Sequence, residues 1–337
     1  MANPTNILQL IDAFRRSKVM FTAESLGLFD RLSRPAQAAE VALELGANLD
    51  ALVRLLDTCV ALGLLVREDG LYRNSEEAEQ YLRSDSPDTL SGYIRYSDVA
   101  LYPLWGKLKD AVLEGSNRWQ QVFGSKGALF EHFYREDETK RAFLAGMNGF
   151  GQISSPAVVR AFDLGEFRQM VDLGGATGHL AIAACEAYPD MRATVFDLPS
   201  VIPIAREYLS RSEAKERLST QAGDFFKDEF PPADLYCVGR ILHDWGERDI
   251  VLLLNKIYAA LPEDGAVLIL ERLLDEDHLG PLNSQLQSLN MLCCTDGKER
   301  SLSEYEALLH NSGFSNIQGR RTGKLVDAVI AYKRPPA

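Results

Sequence analysis

From residue 170 onward the chain repeats one pattern. A short run of strand-forming residues ends at or beside an acidic side chain or a glycine, and a helix-like stretch follows. "MVDLGG" (170–175) is succeeded by "ATVFDLP" (193–199), "AGDFF" (222–226), "ADLYCVG" (233–239) and "AVLILE" (266–271). Strands that alternate with helical segments pair in parallel, because a parallel connection needs a crossover long enough to hold a helix. This pattern predicts an α/β fold, a parallel sheet flanked by helices, from about residue 170 onward. Residues 1–160 lack it and read as mainly helical.

The first strand runs into "DLGGATG", where Gly174, Gly175 and Gly178 form a tight turn that lets the main chain approach a ligand. No G-K-[ST] follows, so a phosphate-cradling loop is disfavoured. Asp172 before the turn suits a ligand with positive charge. Asp197 ends the second strand about 20 residues downstream, the offset at which an acid takes ribose hydroxyls. After the third strand, Asp224 beside Gly223 can accept from an adenine amine, and Phe225 can cover the ring. Any one of these aspartates could merely cap a turn. Three at successive strand ends mark an adenosine site. Open α/β sheets bind beyond the carboxyl ends of their strands, so His243 in "RILHDW", after strand four, stands where chemistry is expected. Strand five ends in Glu271, and "CCTDGKERS" (293–301) supplies Glu299.

The N-terminal part has its own grammar. Residues 38–75 predict a short helix, a Gly-Ala-Asn turn, a longer helix and a hairpin with Asp69-Gly70 at its tip, which is winged helix-turn-helix order. The second helix carries Asp50 and Asp57 beside Arg54, and the 337-residue chain has a net charge of -12, so nucleic acid is not an expected partner. A scaffold or dimerisation role is preferred. The candidate helix from Asn6 to Leu32 has apolar residues on more than one face, as a subunit interface or a helix broken in two would. Five cysteines without a C-x-x-C suit reduced thiols, and no apolar run reaches the ~20 residues that span a bilayer. With no leader-like start, the expectation is a cytoplasmic protein without membrane contact. Nor is a metal expected at His243, which shows no H-x-x-x-H partner and no carboxylate pair beside it in sequence.

Taken together, "VDLGGATG", "VFDLP", "GDFFKD", "RILHDW", "LLDED" and "SLNMLCCTDGKER" resemble the class I S-adenosylmethionine (SAM)-dependent O-methyltransferases of the plant caffeate and acetylserotonin (hydroxyindole) type, and the likeness runs the length of the chain. The resemblance implies a winged-helix dimerisation domain (1–100), a helical connector contributing to the acceptor pocket (101–160) and a Rossmann-like SAM-binding methyltransferase domain (161–337). It further implies a homodimer, SAM as methyl donor with S-adenosylhomocysteine (SAH) as product, and a small aromatic hydroxyl as acceptor. Asp197 and Leu198 would meet the ribose, Gly223, Asp224 and Phe225 the adenine, and Arg240 would lie beside the donor. His243 would be the general base, flanked by Glu271 and Glu299. Asp244, Asn290, Met291 and Cys294 would wall the acceptor, with Tyr134, Phe143 and Met147 opposite. Two positions depart from the family pattern: Ala176 replaces the third glycine of the turn, and Cys294 replaces a glutamine that helps hold an acetamide in the hydroxyindole enzyme. The acceptor therefore stays open.

Two other classes share parts of this pattern. A nicotinamide-dependent dehydrogenase also uses a glycine turn and a ribose acid, but needs room for a pyrophosphate. A winged-helix regulator that senses SAM would bind the donor without turnover, and would shift duplex DNA at nanomolar protein.

Overall fold

The computed structural model describes residues 3–124 and 137–334. The chain divides into two compact units, Met1–Ala100 and Leu101–Ala337.

In the first unit, the predicted long helix is broken in two. Helix α1 (Thr5–Ser25) ends before Gly27, which takes a left-handed conformation (φ 65°), and α2 (Leu28–Arg31) follows. The far half of α1 is buried at Phe21 and Ala23, whereas Ile7, Leu10, Ile11 and Phe14 are each more than half exposed. Strand β1 (Ala36–Gln37) leads to α3 (Ala38–Leu45), and α4 (Leu49–Ala61) is capped by Asn48, whose side chain accepts from the Ala51 N–H at 3.0 Å. Strands β2 (Leu65–Glu68) and β3 (Leu71–Asn74) form the predicted hairpin. Asp69 and Gly70 both have positive φ, 50° and 78°, as a type I′ turn demands. β1 adds to β3 as a third strand.

The second unit is built on a seven-stranded sheet. Its strands are β4 (Gln169–Leu173), β5 (Arg192–Asp197), β6 (Leu218–Ala222), β7 (Leu235–Gly239), β8 (Ala266–Glu271), β11 (Ser315–Arg320) and β12 (Asp327–Tyr332), in the order β11-β12-β8-β7-β4-β5-β6. β8, β7, β4, β5 and β6 are parallel, while β12 pairs antiparallel with β8 and β11 with β12. Two-residue strands β9 (Leu273–Leu274) and β10 (Arg300–Ser301) pair beside it. All six residues of β8 are buried, which is why it reads as a continuous apolar run rather than an alternating one.

Helices cover both faces. α5 (Asp137–Val158) and α6 (His179–Ala187) pack on one side with Phe150, Leu180, Ala184 and Leu268. α8 (Glu247–Ala260) and α10 (Leu302–Asn311) pack on the other with Ile250, Leu254, Ile269 and Leu308. α7 (Ile202–Leu209) and α9 (Leu282–Cys294) complete the elements used below. Because the chain runs outward from β4 to β6 and then returns to β7 on the other flank of β4, β4 and β7 form a topological switch point, where the crossovers leave a crevice above the carboxyl ends.

Candidate active site

Strand β7 ends at Gly239, and Arg240 turns the chain with φ 56°, a left-handed conformation that costs a non-glycine residue about 1–3 kcal/mol. The corner is held from beneath. The Arg240 N–H donates to Leu270 O at 2.9 Å, and Glu271 Oε1 accepts from the N–H groups of Ile241 (3.0 Å), Leu242 (2.9 Å) and, more weakly, His243 (3.4 Å). One carboxylate oxygen from the neighbouring strand thus organises the short helical turn that carries His243.

His243 is 3% exposed, and its Nδ1 faces two acids: Glu299 Oε1 at 2.7 Å and Glu271 Oε2 at 3.1 Å. No carboxylate pair stands beside His243 in sequence, but the fold brings Glu271 and Glu299, the two acids expected to flank it, to one nitrogen of its ring. His243, Glu271 and Glu299 are the one group of metal-ligating type gathered within 4.8 Å among the described residues, although the acids lie 28 and 56 positions away in sequence. A nitrogen and an oxygen 2.7 Å apart share a proton. With bonds of ~2.0–2.2 Å on each side, an ion would sit between ligands farther apart than that. Nδ1 is therefore a donor, and in the neutral ring Nε2 carries the free lone pair.

Burial pushes the His243 pKa down, but Glu271, Glu299 and Asp244 outweigh it and raise it to about 9. Burial lifts Glu271 to about 7, against the pull of His243. Burial likewise lifts Asp244 to about 6; its Oδ1 stands 3.8 Å from Nε2.

The glycine turn sits over β4. A Cβ on Gly175 would lie 2.6 Å from the Asp172 carboxylate, so the turn closes down on that side chain. Asp172 is one residue inside the strand rather than at its tip; it is 2% exposed, and among the described residues its buried Oδ2 has no hydrogen-bond partner. Burial raises its pKa to about 7, with Asp197 adding to the effect. Gly178 (φ 79°) starts α6, and a Cβ there would meet Leu209 at 2.6 Å and Val195 at 2.9 Å, so its service is to let helix and sheet pack closely. Gly174 faces Ile241 and Phe225 in the same way, and Gly223 faces Phe196.

Asp197 at the end of β5 accepts from Ala176 N–H (2.8 Å) and Leu198 N–H (2.7 Å), tying the turn to the end of that strand. Ala176 takes the left-handed conformation (φ 52°) that a third glycine would hold more easily. Asp224, two residues beyond β6, caps its own turn through Phe226 N–H (2.9 Å) and pairs with Lys227 (2.7 Å), whose side chain is 79% exposed. Phe225 packs edge-on against Phe226, and Phe226 against Trp245.

The residues expected on the acceptor side lie on two helices. On α9, Asn290, Met291 and Cys294 are all buried. Asn290 Oδ1 accepts from Trp105 Nε1 at 2.8 Å and from the Cys294 thiol at 3.7 Å, so that thiol, raised by burial well above its usual pKa, is turned to its own helix. On α5, Phe143 is buried. Met147 Sδ lies 3.2 Å from Arg240 Nη1, and the guanidinium rests over Phe150 at 4.3 Å. Tyr134 lies outside the described residues.

Several participants escaped the sequence reading. A Cβ on Gly297 would collide with the backbone of His243 and Asp244, so only glycine lets the 296–300 segment come close enough for Glu299 to reach Nδ1. The glycine within "TDGKER" was a visible signal for it. Trp105 gave none, since it meets Asn290 from 185 residues away. Thr177, which donates to Asn148 Oδ1 at 2.9 Å and so ties the turn to α5, gave none either.

Residues 105–315 match the O-methyltransferase domain family, and residues 8–84 match the O-methyltransferase dimerisation domain. The chain is similar to acetylserotonin O-methyltransferase of Gallus gallus, 44% identical over 98% of this chain and 97% of that protein. It is also similar to the tetracenomycin polyketide synthesis 8-O-methyl transferase of Streptomyces glaucescens, 36% identical over 99% and 97%. Among solved structures it resembles human N-acetylserotonin methyltransferase in complex with SAM, with a TM-score of 0.93 and 38% identity over 99% of this chain and 98% of that one. No described helix is long and apolar enough to cross a membrane.

Proposed function

The chain belongs to the SAM-dependent O-methyltransferase family, and from that membership we propose that it methylates a hydroxyl of a small aromatic acceptor, phenol, hydroxyindole or polyketide-like, with His243 as general base. The observation that carries the base assignment is the pair of carboxylates on Nδ1, which leaves Nε2 alone to accept a proton.

The residues suit the donor. Asp197 and Asp224 offer carboxylates at or just beyond the ends of adjacent strands for ribose and adenine, and the turn over β4 reaches Asp197 through the Ala176 N–H. SAM supplies an electrophilic methyl on a sulfonium. His243 takes the proton of an acceptor hydroxyl whose pKa is near ~10, a step typically worth about 10²–10⁴ in rate. Glu299 and Glu271 orient the ring and stabilise the imidazolium that forms. Phe143, Met147 and Met291 exclude water, so charge is neutralised in an apolar surround. With the Cys294 thiol turned to Asn290, an acceptor held by shape and its hydroxyl fits better than one held by an acetamide. A homodimer belongs to the same reading, supported by the dimerisation domain and the exposed apolar stripe of Ile7, Leu10, Ile11 and Phe14. So does a cytoplasmic location, which the five free thiols support.

Incubation with methyl-labelled SAM and panels of phenols, catechols, hydroxyindoles, flavonoids and aromatic polyketides should put label on oxygen for at least one class. SAH should bind at micromolar concentration or tighter, and NAD should not. NAD binding without SAH binding would overturn the donor; SAH binding with a duplex DNA shift and no turnover would leave the regulator.

The raised pKa of His243 has a consequence for pH. A base titrating at about 9 is mostly protonated at neutral pH, so kcat/KM should climb through neutral pH, pass its inflection at about 9 and level only above it. Binding a sulfonium beside it opposes protonation, so the inflection in kcat should fall at lower pH. Steady-state kinetics from pH 6 to 10 would show this, and a flat kcat/KM between pH 6.5 and 8.5 would exclude His243 as the titrating base.

A further inference from the structure

His179 is the first residue of α6, directly after the glycine turn, and none of the assignments above uses it. Its ring lies flat against α5 where that helix has Gly151: a Cβ at Gly151 would overlap the ring at Cδ2, Cγ and Nε2. Ser155 Oγ, fully buried one turn further along α5, is 2.8 Å from Nδ1. The Ser155 hydroxyl has no other acceptor among the described residues, so its proton goes to Nδ1. The ring proton then sits on Nε2, which has no hydrogen-bond partner among the described residues. Burial, with the Arg240 guanidinium nearby, lowers the ring's pKa to about 4 and keeps it neutral.

The sheet order says what this N–H would meet. β4 lies between β7, which carries His243, and β5 and β6, which carry the ribose and adenine acids. A sulfonium with its adenosine over β5 and β6 and its methyl toward β7 would stand above β4. Its third substituent, the amino-acid chain, would then reach the turn after β4 and the first residue of α6. That substituent ends in a carboxylate. We propose that His179 is a donor-binding residue whose Nε2–H, fixed in that tautomer by Ser155 and seated in the notch at Gly151, holds the carboxylate at the amino-acid end of SAM together with Arg240. The proposal rests on the donor reading above. The positive end of α6 favours the same anion.

The test compares two ligands that differ only in the amino-acid end: SAH, which has it, and 5′-methylthioadenosine, which lacks it. Dissociation constants of both are measured by calorimetry for the wild-type chain and for His179→Ala, His179→Gln and Ser155→Ala. His179→Ala should weaken SAH at least about tenfold and leave 5′-methylthioadenosine within twofold. His179→Gln, which keeps an N–H donor, should recover most of the loss. Ser155→Ala, which frees the tautomer, should lower the preference for SAH about threefold. Equal weakening of both ligands, or of neither, overturns the proposal. If the alanine variant does not fold, an unchanged ligand ratio in Ser155→Ala overturns it instead. Wild-type protein that binds neither compound refutes the donor reading itself, which is a different result.

Discussion

His243→Ala should lower kcat by about 10²–10⁴ while the dissociation constant of SAH stays within twofold. Two features make the split sharp. The acids assigned to the adenosine, Asp197 and Asp224, sit on β5 and just past β6, beyond β4 from His243, so removing the imidazole leaves donor binding in place. Losing the ring should not unfold the chain either. Glu271, already raised to about 7 by burial, can keep a proton and share it with Glu299 once the imidazole is gone. The pH profile of the variant should lose its imidazole inflection and follow the acceptor hydroxyl alone. Single-turnover kinetics and calorimetry would measure both quantities. A kcat within tenfold of wild type would remove the base from His243.

The second large effect separates the two acids, which look equivalent in the sequence. Glu271→Ala should destabilise the protein by roughly 3–5 kcal/mol, because it strands the buried N–H groups of Ile241 and Leu242 and breaks a buried ion pair. That would appear as a fall in Tm on the order of 10 °C. Glu299→Gln should fold normally. Among the described residues Glu299 makes one hydrogen bond, to His243 Nδ1, and an amide oxygen can still accept it. With one negative charge gone, the imidazolium is less stabilised, so kcat should fall about tenfold and the inflection of kcat/KM should move below 9. Thermal melts and pH-rate profiles of the pair decide it. Equal loss of stability in both variants would show that Glu299, too, serves the fold rather than the reaction.

The residues that could be read ahead share a property: their position follows from a short stretch of chain. Asp197 ends a strand because an apolar run stops there. Asp69-Gly70 makes a hairpin because two consecutive residues take positive φ. His243 follows β7 by four residues, and the carboxyl edge of a parallel sheet lies wherever its strands end. The glycines of the turn were found for the same reason, although they mostly face the protein's own side chains, Asp172 below Gly175 and Leu209 beside Gly178, rather than open space.

What stayed hidden was pairing across long stretches of chain. Local pattern says that Glu271 and Glu299 exist near candidate sites. It does not say that both end on one nitrogen, that Glu271 also ties three backbone N–H groups, or that together they lift an imidazole to about 9. Those facts depend on which strand neighbours β7 and on Gly297 letting a distant loop come close. The seat of His179 is of the same kind, because a missing Cβ on α5 and a hydroxyl one turn later have meaning only once α5 lies against α6. Alternation and turn chemistry are local energies and can be read along the chain. Proton affinity in a buried cluster is set by every charge within a few ångströms, and only folding decides which charges those are.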